Sequence, residues 1–134
     1  MFGGKFLNKT EAYALEILIS ILKKQKKDEK IISLFEKLKR IFKILAHLDS
    51  KIYQIYLQMK KIKNPDQKQF LLNFVPFLSI IFSTLSLVLI SKIKVSKSLK
   101  VDIKIISKHI VLCIEGNLNL IKENIKTIKK QEIT

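Results

Sequence analysis

Glycine and proline are scarce in this sequence, and their scarcity limits how often the chain can turn. Among 134 residues there are three glycines and two prolines. Sheet proteins need many tight turns and helical proteins need few, so the composition favours an all-α fold. β-Branched runs such as VDIKIIS argue mildly for strands instead. A chain of this length forms one domain, or one domain with an anchoring segment.

Residues that commonly act in catalysis or bind metals and cofactors are also few. Cys113 is the only cysteine, which excludes a disulfide within the chain. His109 lies four residues before Cys113 and would share its helical face, but a structural zinc site needs four ligands. The acidic residues are scattered and no glycine-rich phosphate loop is present. We therefore expect a non-enzymatic protein with no catalytic residue, no metal site, no cofactor and no small-molecule substrate.

Arginine is nearly absent although the chain is strongly basic. Lysine and arginine together number 26 against 11 acidic residues, a formal net charge of +15, and Arg40 is the only arginine. Sequence-specific DNA reading prefers the guanidinium fork, so it is disfavoured. Non-specific attraction to phosphates or anionic lipid headgroups remains open. A compositional bias typical of AT-rich genomes explains the same excess of lysine.

The first helix is predicted to start at Thr10, whose hydroxyl suits an N-cap. Residues 1–9 then form a loose basic start, and the helix runs to about Lys27. Asp28 is a candidate cap for a second helix, although an unbroken helix is equally compatible with the pattern.

The strongest periodic pattern follows this start. Ten apolar residues recur at alternating spacings of three and four, which predicts a helix over roughly residues 29–63, about 50 Å long. We call them the seam: Ile31, Leu34, Leu38, Ile41, Leu45, Leu48, Ile52, Ile55, Met59 and Ile62. Phe35, Phe42 and Tyr56 widen this stripe. The seam suits a helix of an intramolecular bundle or a self-associating coiled coil.

A long uncharged segment comes after the motif KNPDQ, in which Asn64 and Pro65 suit the start of a helix. Phe70–Ser91 comprises 22 residues without a charge, and as a helix it measures about 33 Å, close to the thickness of the hydrocarbon core of a bilayer. Its small residues Ser79, Ser83 and Ser86 form one stripe, which in a membrane permits close helix contact.

Two features argue against a simple span. A helix beginning at Pro76 is short for a crossing. The flanks are also symmetric, with five lysines in residues 50–69 and six in residues 92–111, whereas the positive-inside rule needs an imbalance. A membrane-inserted helix and a buried bundle helix are therefore both considered, and the first is preferred.

Three regions result: a basic helical, coiled-coil-like region at 1–63, the apolar candidate transmembrane segment at 64–92, and a basic amphipathic helix at 93–134. The sequence thus predicts an all-α hairpin or bundle of long heptad-patterned helices with one membrane-inserted helix. Apolar and polar residues alternate over residues 92–104, so this segment is compatible with either a strand or a frayed helix start.

Three hypotheses for function follow. The preferred one is a membrane-anchored scaffold or interaction protein, with anionic lipid headgroups and either a second copy or a helical protein as partners. The second, by analogy of size and layout alone, is a small membrane-permeabilising protein like phage holins and their accessory proteins. The third is a soluble, cytoplasmic basic bundle that binds nucleic acid non-specifically.

Overall fold

The structure, a computed structural model, describes residues 3–59 and 64–133, and within these ranges all regular structure is helical. The helices are α1 (Gly3–Lys24), α2 (Glu29–Gln58), α3 (Pro65–Ser91) and α4 (Lys97–Ile133). The prediction of an all-α fold is confirmed. Residues 60–63, and with them Ile62 of the seam, lie outside the described part of the chain.

Two helix starts follow from local sequence, as predicted. The Asp28 side chain accepts a hydrogen bond from the backbone N–H of Lys30 at 3.0 Å and caps α2. The Asn64 side chain accepts from the backbone N–H of Asp66 at 3.2 Å and caps α3. Pro65 occupies the first turn of α3, where its missing N–H costs nothing.

The predicted start of α1 is wrong. The helix begins at Gly3, and the hydroxyl of Thr10 donates to the carbonyl oxygen of Leu7 at 3.1 Å inside the helix. The first turn of α1 packs closely on α4. A methyl group added at Gly3 would lie 3.1 Å from Leu120 of that helix. Capping rules consider only neighbouring residues, so they do not predict a helix start that is stabilised by contacts with other helices.

The four helices form a bundle in which each helix packs on two others. α1 contacts α2 and α4, α3 contacts the same two helices, and α1 meets α3 across the interior. The short connections between α1 and α2 and between α3 and α4 reverse the chain, which places these partners antiparallel. The side chains facing inward therefore come from all four helices.

The main apolar core lies where α1 and α2 meet. The inward face of α2 carries the rings of Phe35 and Phe42. The buried residues of this face recur every 3.5 residues on average. The fully buried members of this core are Leu15, Leu18, Leu22, Phe35, Phe42 and Ile110. α3 and α4 complete the wall with Val75, Ile90 and Ile106.

Pro76 lies inside α3, so the helix extends across the whole uncharged segment. A proline has no N–H to give to the carbonyl four residues before it, here that of Leu72. The side-chain amide of Asn124 donates to this carbonyl oxygen at 3.3 Å. A side chain from α4 thus replaces the bond that Pro76 cannot make.

Gly116 of α4 packs closely against the Leu7 side chain of α1. A Cβ atom placed there would lie 2.9 Å from Cδ1 of Leu7. We expect Gly116→Leu to push the two helices apart and to lower the free energy of unfolding by about 1–3 kcal/mol, despite leucine's higher helix propensity. Urea denaturation followed by circular dichroism measures the change.

The control for this variant is Asn119→Leu, which adds the same side chain at an exposed position of the same helix. Its stability should stay within about 0.5 kcal/mol of the parent, because nothing is displaced there. Equal stability of the two variants would contradict the close approach at Gly116.

Candidate functional site

The serine stripe of α3 faces the interior of the bundle. Ser79, Ser83 and Ser86 all have 0% exposed surface. The hydroxyl of Ser79 donates to Oδ1 of Asn8 at 2.9 Å, and that of Ser83 donates to Oε1 of Glu11 at 2.6 Å. The hydroxyl of Ser86 turns back to the carbonyl oxygen of Phe82 at 2.8 Å. The predicted contact stripe therefore meets a helix of the same chain, α1.

A third helix joins this polar layer. The amide of Asn117 in α4 donates to Oγ of Ser79 at 3.0 Å and to the carbonyl oxygen of Cys113 at 2.9 Å. The amide of Asn124 in α4 also donates to Oδ1 of Asn73, which lies one helical turn before Pro76, at 3.0 Å. The inner face of α3 is thus held by hydrogen bonds to both α1 and α4.

Glu11 is the titratable group at the centre of this layer, and it is fully buried. Loss of solvation raises the pKa of Glu11 to about 8, and the hydrogen bond from Ser83 only partly opposes this shift. The side chain is therefore mainly a neutral carboxylic acid at pH 7. Within the described residues, its second oxygen Oε2 and the Oδ1 atom of Asn117 have no hydrogen-bond partner.

The opposite face of α3 carries large apolar side chains that the described helices leave about half exposed. We call this line of five residues the ridge, and its members are between 44% and 69% exposed: Phe70, Phe77, Ile81, Leu85 and Val88. Spacings of seven, four, four and three residues place them on one side of the helix. α3 therefore buries hydroxyl groups and exposes phenylalanine, isoleucine, leucine and valine.

The length, composition and burial of α3 bear on whether it is a core helix or a candidate membrane helix. Among the described residues, α3 is the one helix long and apolar enough to cross a membrane, judged by length and composition. The core helix of a soluble protein passes the same test, but such a helix is mostly buried. In α3 only 33% of the most apolar 18-residue window is buried. Folding of this chain alone therefore leaves the outer face of this window, the ridge, in contact with solvent.

The seam of α2 is divided between the interior and the surface. Leu38, Leu45 and Ile52 are buried, and Leu34 and Ile55 are 42% and 45% exposed. The remaining described members are half-buried: Ile31, Ile41, Leu48 and Met59. The buried face of α2 is centred on the aromatic residues beside the seam, because Phe35, Phe42 and Tyr56 are all at most 5% exposed. Part of the seam is thus used within the chain, and its role in self-association stays a prediction.

The cysteine and histidine pair lies together as the helical spacing predicted. Sγ of Cys113 is 3.6 Å from Nε2 of His109 and 3.7 Å from the carbonyl oxygen of Leu7. Burial, and secondarily the nearby Glu11, raise the pKa of the Cys113 thiol to about 12. The thiol therefore stays protonated at neutral pH and is a weak nucleophile. No group of three or more His, Cys, Asp or Glu side chains suited to a metal ion occurs in the described ranges.

Sequence reasoning missed the residues that bind the serines. Asn8 fell in the predicted loose start and Glu11 was counted only as one of the scattered acidic residues, yet both have 0% exposed surface. A signal was present, because Glu11 precedes Leu15 by four residues and Leu18 by seven, which places all three on one helical face. A carboxylic acid on the apolar face of a helix indicates a buried polar contact.

Comparison with protein-family models, with curated proteins and with solved structures finds no match for this chain. The function is therefore inferred from the molecule's own surfaces. One feature of these surfaces is the ridge on α3, combined with the serines buried behind it.

Proposed function

We propose that this protein is a non-enzymatic, membrane-attached helical protein that acts as a scaffold or interaction module. The single observation that supports this proposal is the inverted burial of α3, with serines inside and the ridge outside. Soluble monomers rarely leave a continuous apolar patch exposed, and a patch of this kind is typical of a site for lipid or for another protein. The lysines of the chain add attraction to anionic headgroups.

The holin-like alternative receives less support from the geometry. In that hypothesis the serine stripe makes contacts between copies within the membrane. Ser79 and Ser83 instead bind Asn8 and Glu11 of the same chain. A permeabilising assembly would have to break these bonds before the stripe could pair with another copy.

A specific observation favours nucleic-acid binding as the second candidate. An open groove between the end of α1 and the first half of α2 is lined by four lysines and by the chain's only arginine: Lys23, Lys26, Lys27, Lys37 and Arg40. Glu29 and Glu36 also line it and would repel phosphates. Binding of this kind weakens steeply with added salt.

The test is co-sedimentation of the purified full-length chain with vesicles of phosphatidylcholine and phosphatidylserine. We expect binding that falls but persists in molar salt, because salt screens the lysines and leaves the apolar contact of the ridge intact. Phe77→Asp should weaken binding by roughly ten- to a hundredfold, the range expected for losing one buried phenylalanine contact.

The matched control is Ile44→Asp, since Ile44 is 62% exposed on α2 and Phe77 is 60% exposed on α3. This control should bind as the parent does. Complete release of the parent chain by salt, or equal weakening by the two substitutions, would refute attachment through the ridge. Binding to single-stranded DNA in place of vesicles would support the second candidate.

A further inference from the structure

The geometry points to a particular mode of membrane attachment, in which α3 lies flat in one face of the bilayer and does not cross it. The ridge is immersed among the lipid chains. This inference rests on the proposed membrane association. The lipid surface is the occupant of the ridge. The four-helix bundle remains closed above it. Two features of the described residues and one of the sequence carry this inference.

The first feature is the attachment of α3 to its neighbours along its inner face. Ser83 is bonded to α1, Ser79 to α1 and α4, and Leu72 to α4. From Leu72 to Ser83 these contacts extend over about 16 Å of helix. While they persist, α3 cannot enter the bilayer without carrying α1 and α4 along.

The second feature is the charge that the neighbouring helices carry at the same level. The bond between Ser79 and Asn117 places the exposed Glu115 beside the middle of α3. The exposed Lys9 follows Asn8 directly, and Asn8 is bonded to the same serine. Each such charge near the bilayer centre would lower the insertion equilibrium roughly a hundredfold. The flat orientation keeps all of them in water.

The third feature is the symmetric distribution of lysine around α3. Five lysines in residues 50–69 and six in residues 92–111 would fall on opposite sides of the membrane if α3 crossed it. In the flat orientation both groups remain on one side, where anionic headgroups attract them. The symmetry that argues against a span therefore fits a helix that lies on one side of the membrane.

Charge also favours lipid over a second copy of the chain as the occupant. Two copies that met through the ridge would bring together two chains with a formal charge of +15 each. An anionic membrane complements apolar side chains that are flanked by lysines, because its acyl chains receive the apolar groups and its negative headgroups attract the lysines. Pairing of copies is therefore an outcome that the experiment must distinguish.

The experiment places single cysteines at the two ends of α3 and in the ridge, in full-length chains that carry Cys113→Ala. Asp66→Cys and Ser96→Cys mark the ends, and both positions are exposed. Chains bound to preformed vesicles are treated from outside with a membrane-impermeant maleimide. We expect equal labelling at the two ends, within about twofold of the lipid-free rates, because both ends stay on the outer side of an interfacial helix.

A fluorophore on Phe77→Cys measures depth. Immersion of about 5–10 Å predicts stronger quenching by spin labels near the headgroups than by labels at the bilayer centre. The parent chain supplies a third measurement through its buried Cys113. Because the bundle stays closed, binding to vesicles should leave the reaction of this thiol with maleimide unchanged within about twofold.

The outcomes separate the mode of binding from the binding itself. Protection of one end, quenching from the bilayer centre or exposure of Cys113 would overturn the flat orientation and leave membrane attachment standing. A fluorophore that is shielded in lipid-free dimers would overturn lipid as the occupant. Absence of vesicle binding would refute the proposed function and, with it, this inference.

Discussion

Glu11→Gln is expected to remove most of the loss of stability that the parent chain undergoes between pH 4.5 and 8. The carboxyl group has its ordinary pKa of 4.5 in the unfolded chain, and burial raises its pKa to about 8 in the bundle. In this interval the unfolded chain has released the proton and the folded chain still holds it. The free energy of unfolding therefore falls as the pH rises from 4.5 to 8 and levels off above pH 8.

The expected magnitude is several kcal/mol, with about 5 kcal/mol as the upper bound from the shift in pKa. Glutamine keeps the shape and hydrogen-bonding capacity of the side chain but does not ionise. The variant should match the parent well below pH 4.5, where the acid is neutral in both states, and exceed its stability above pH 8. Urea denaturation across this range measures the effect.

Glu16→Gln is the control, because Glu16 is exposed on the same helix. Its stability should follow the parent at each pH. Burial also raises the pKa of Asp49, so a smaller decline in the same direction is expected to remain in Glu11→Gln. A Glu11→Gln variant that declined as steeply as the parent would show that Glu11 is ionised or solvated in the bundle.

Ser79→Leu is expected to destabilise the bundle by about 3 kcal/mol or more, although it makes α3 more apolar. The larger side chain does not fit a position with 0% exposed surface. It also removes the donor to Asn8 and the acceptor for the amide of Asn117. Overpacking costs about 1–3 kcal/mol, and each buried polar group left without its partner adds about 1–3 kcal/mol.

Phe77→Ser provides the matched comparison on the outer face of the same helix. It removes a large apolar side chain, yet the change in stability in detergent-free buffer should stay within about 0.5 kcal/mol. The urea midpoints of the two variants decide the orientation of α3. A stable Ser79→Leu together with a destabilised Phe77→Ser would mean that the phenylalanine faces inward and the serine outward.

Much of the fold was predictable because its causes are local. Asp28 and Asn64 cap the helices that they precede, and a capping side chain needs only backbone N–H groups two or three residues away. The start of α1 was not predictable in this way. Gly3 packs on Leu120, more than a hundred residues further along the chain, and no local rule refers to that contact.

The candidate site divides similarly. The uncharged segment and its serine stripe were recognised from the sequence, since both depend on residue type and helical spacing. The burial of the stripe was not, because the donors and acceptors that satisfy it belong to α1 and α4. Asn8 and Asn117 acquire their roles only when three helices come together around Ser79.

The amino-acid sequence by itself determined that this protein is helical and that one helix is uncharged over 22 residues. Composition, periodicity and local capping suffice for that, because hydrogen bonds within a helix join residues only a few positions apart. The tertiary structure decided which side of α3 meets solvent and that Glu11 is buried as an acid. Both depend on which distant side chains surround a position, and desolvation and hydrogen bonding there are properties of the assembled bundle.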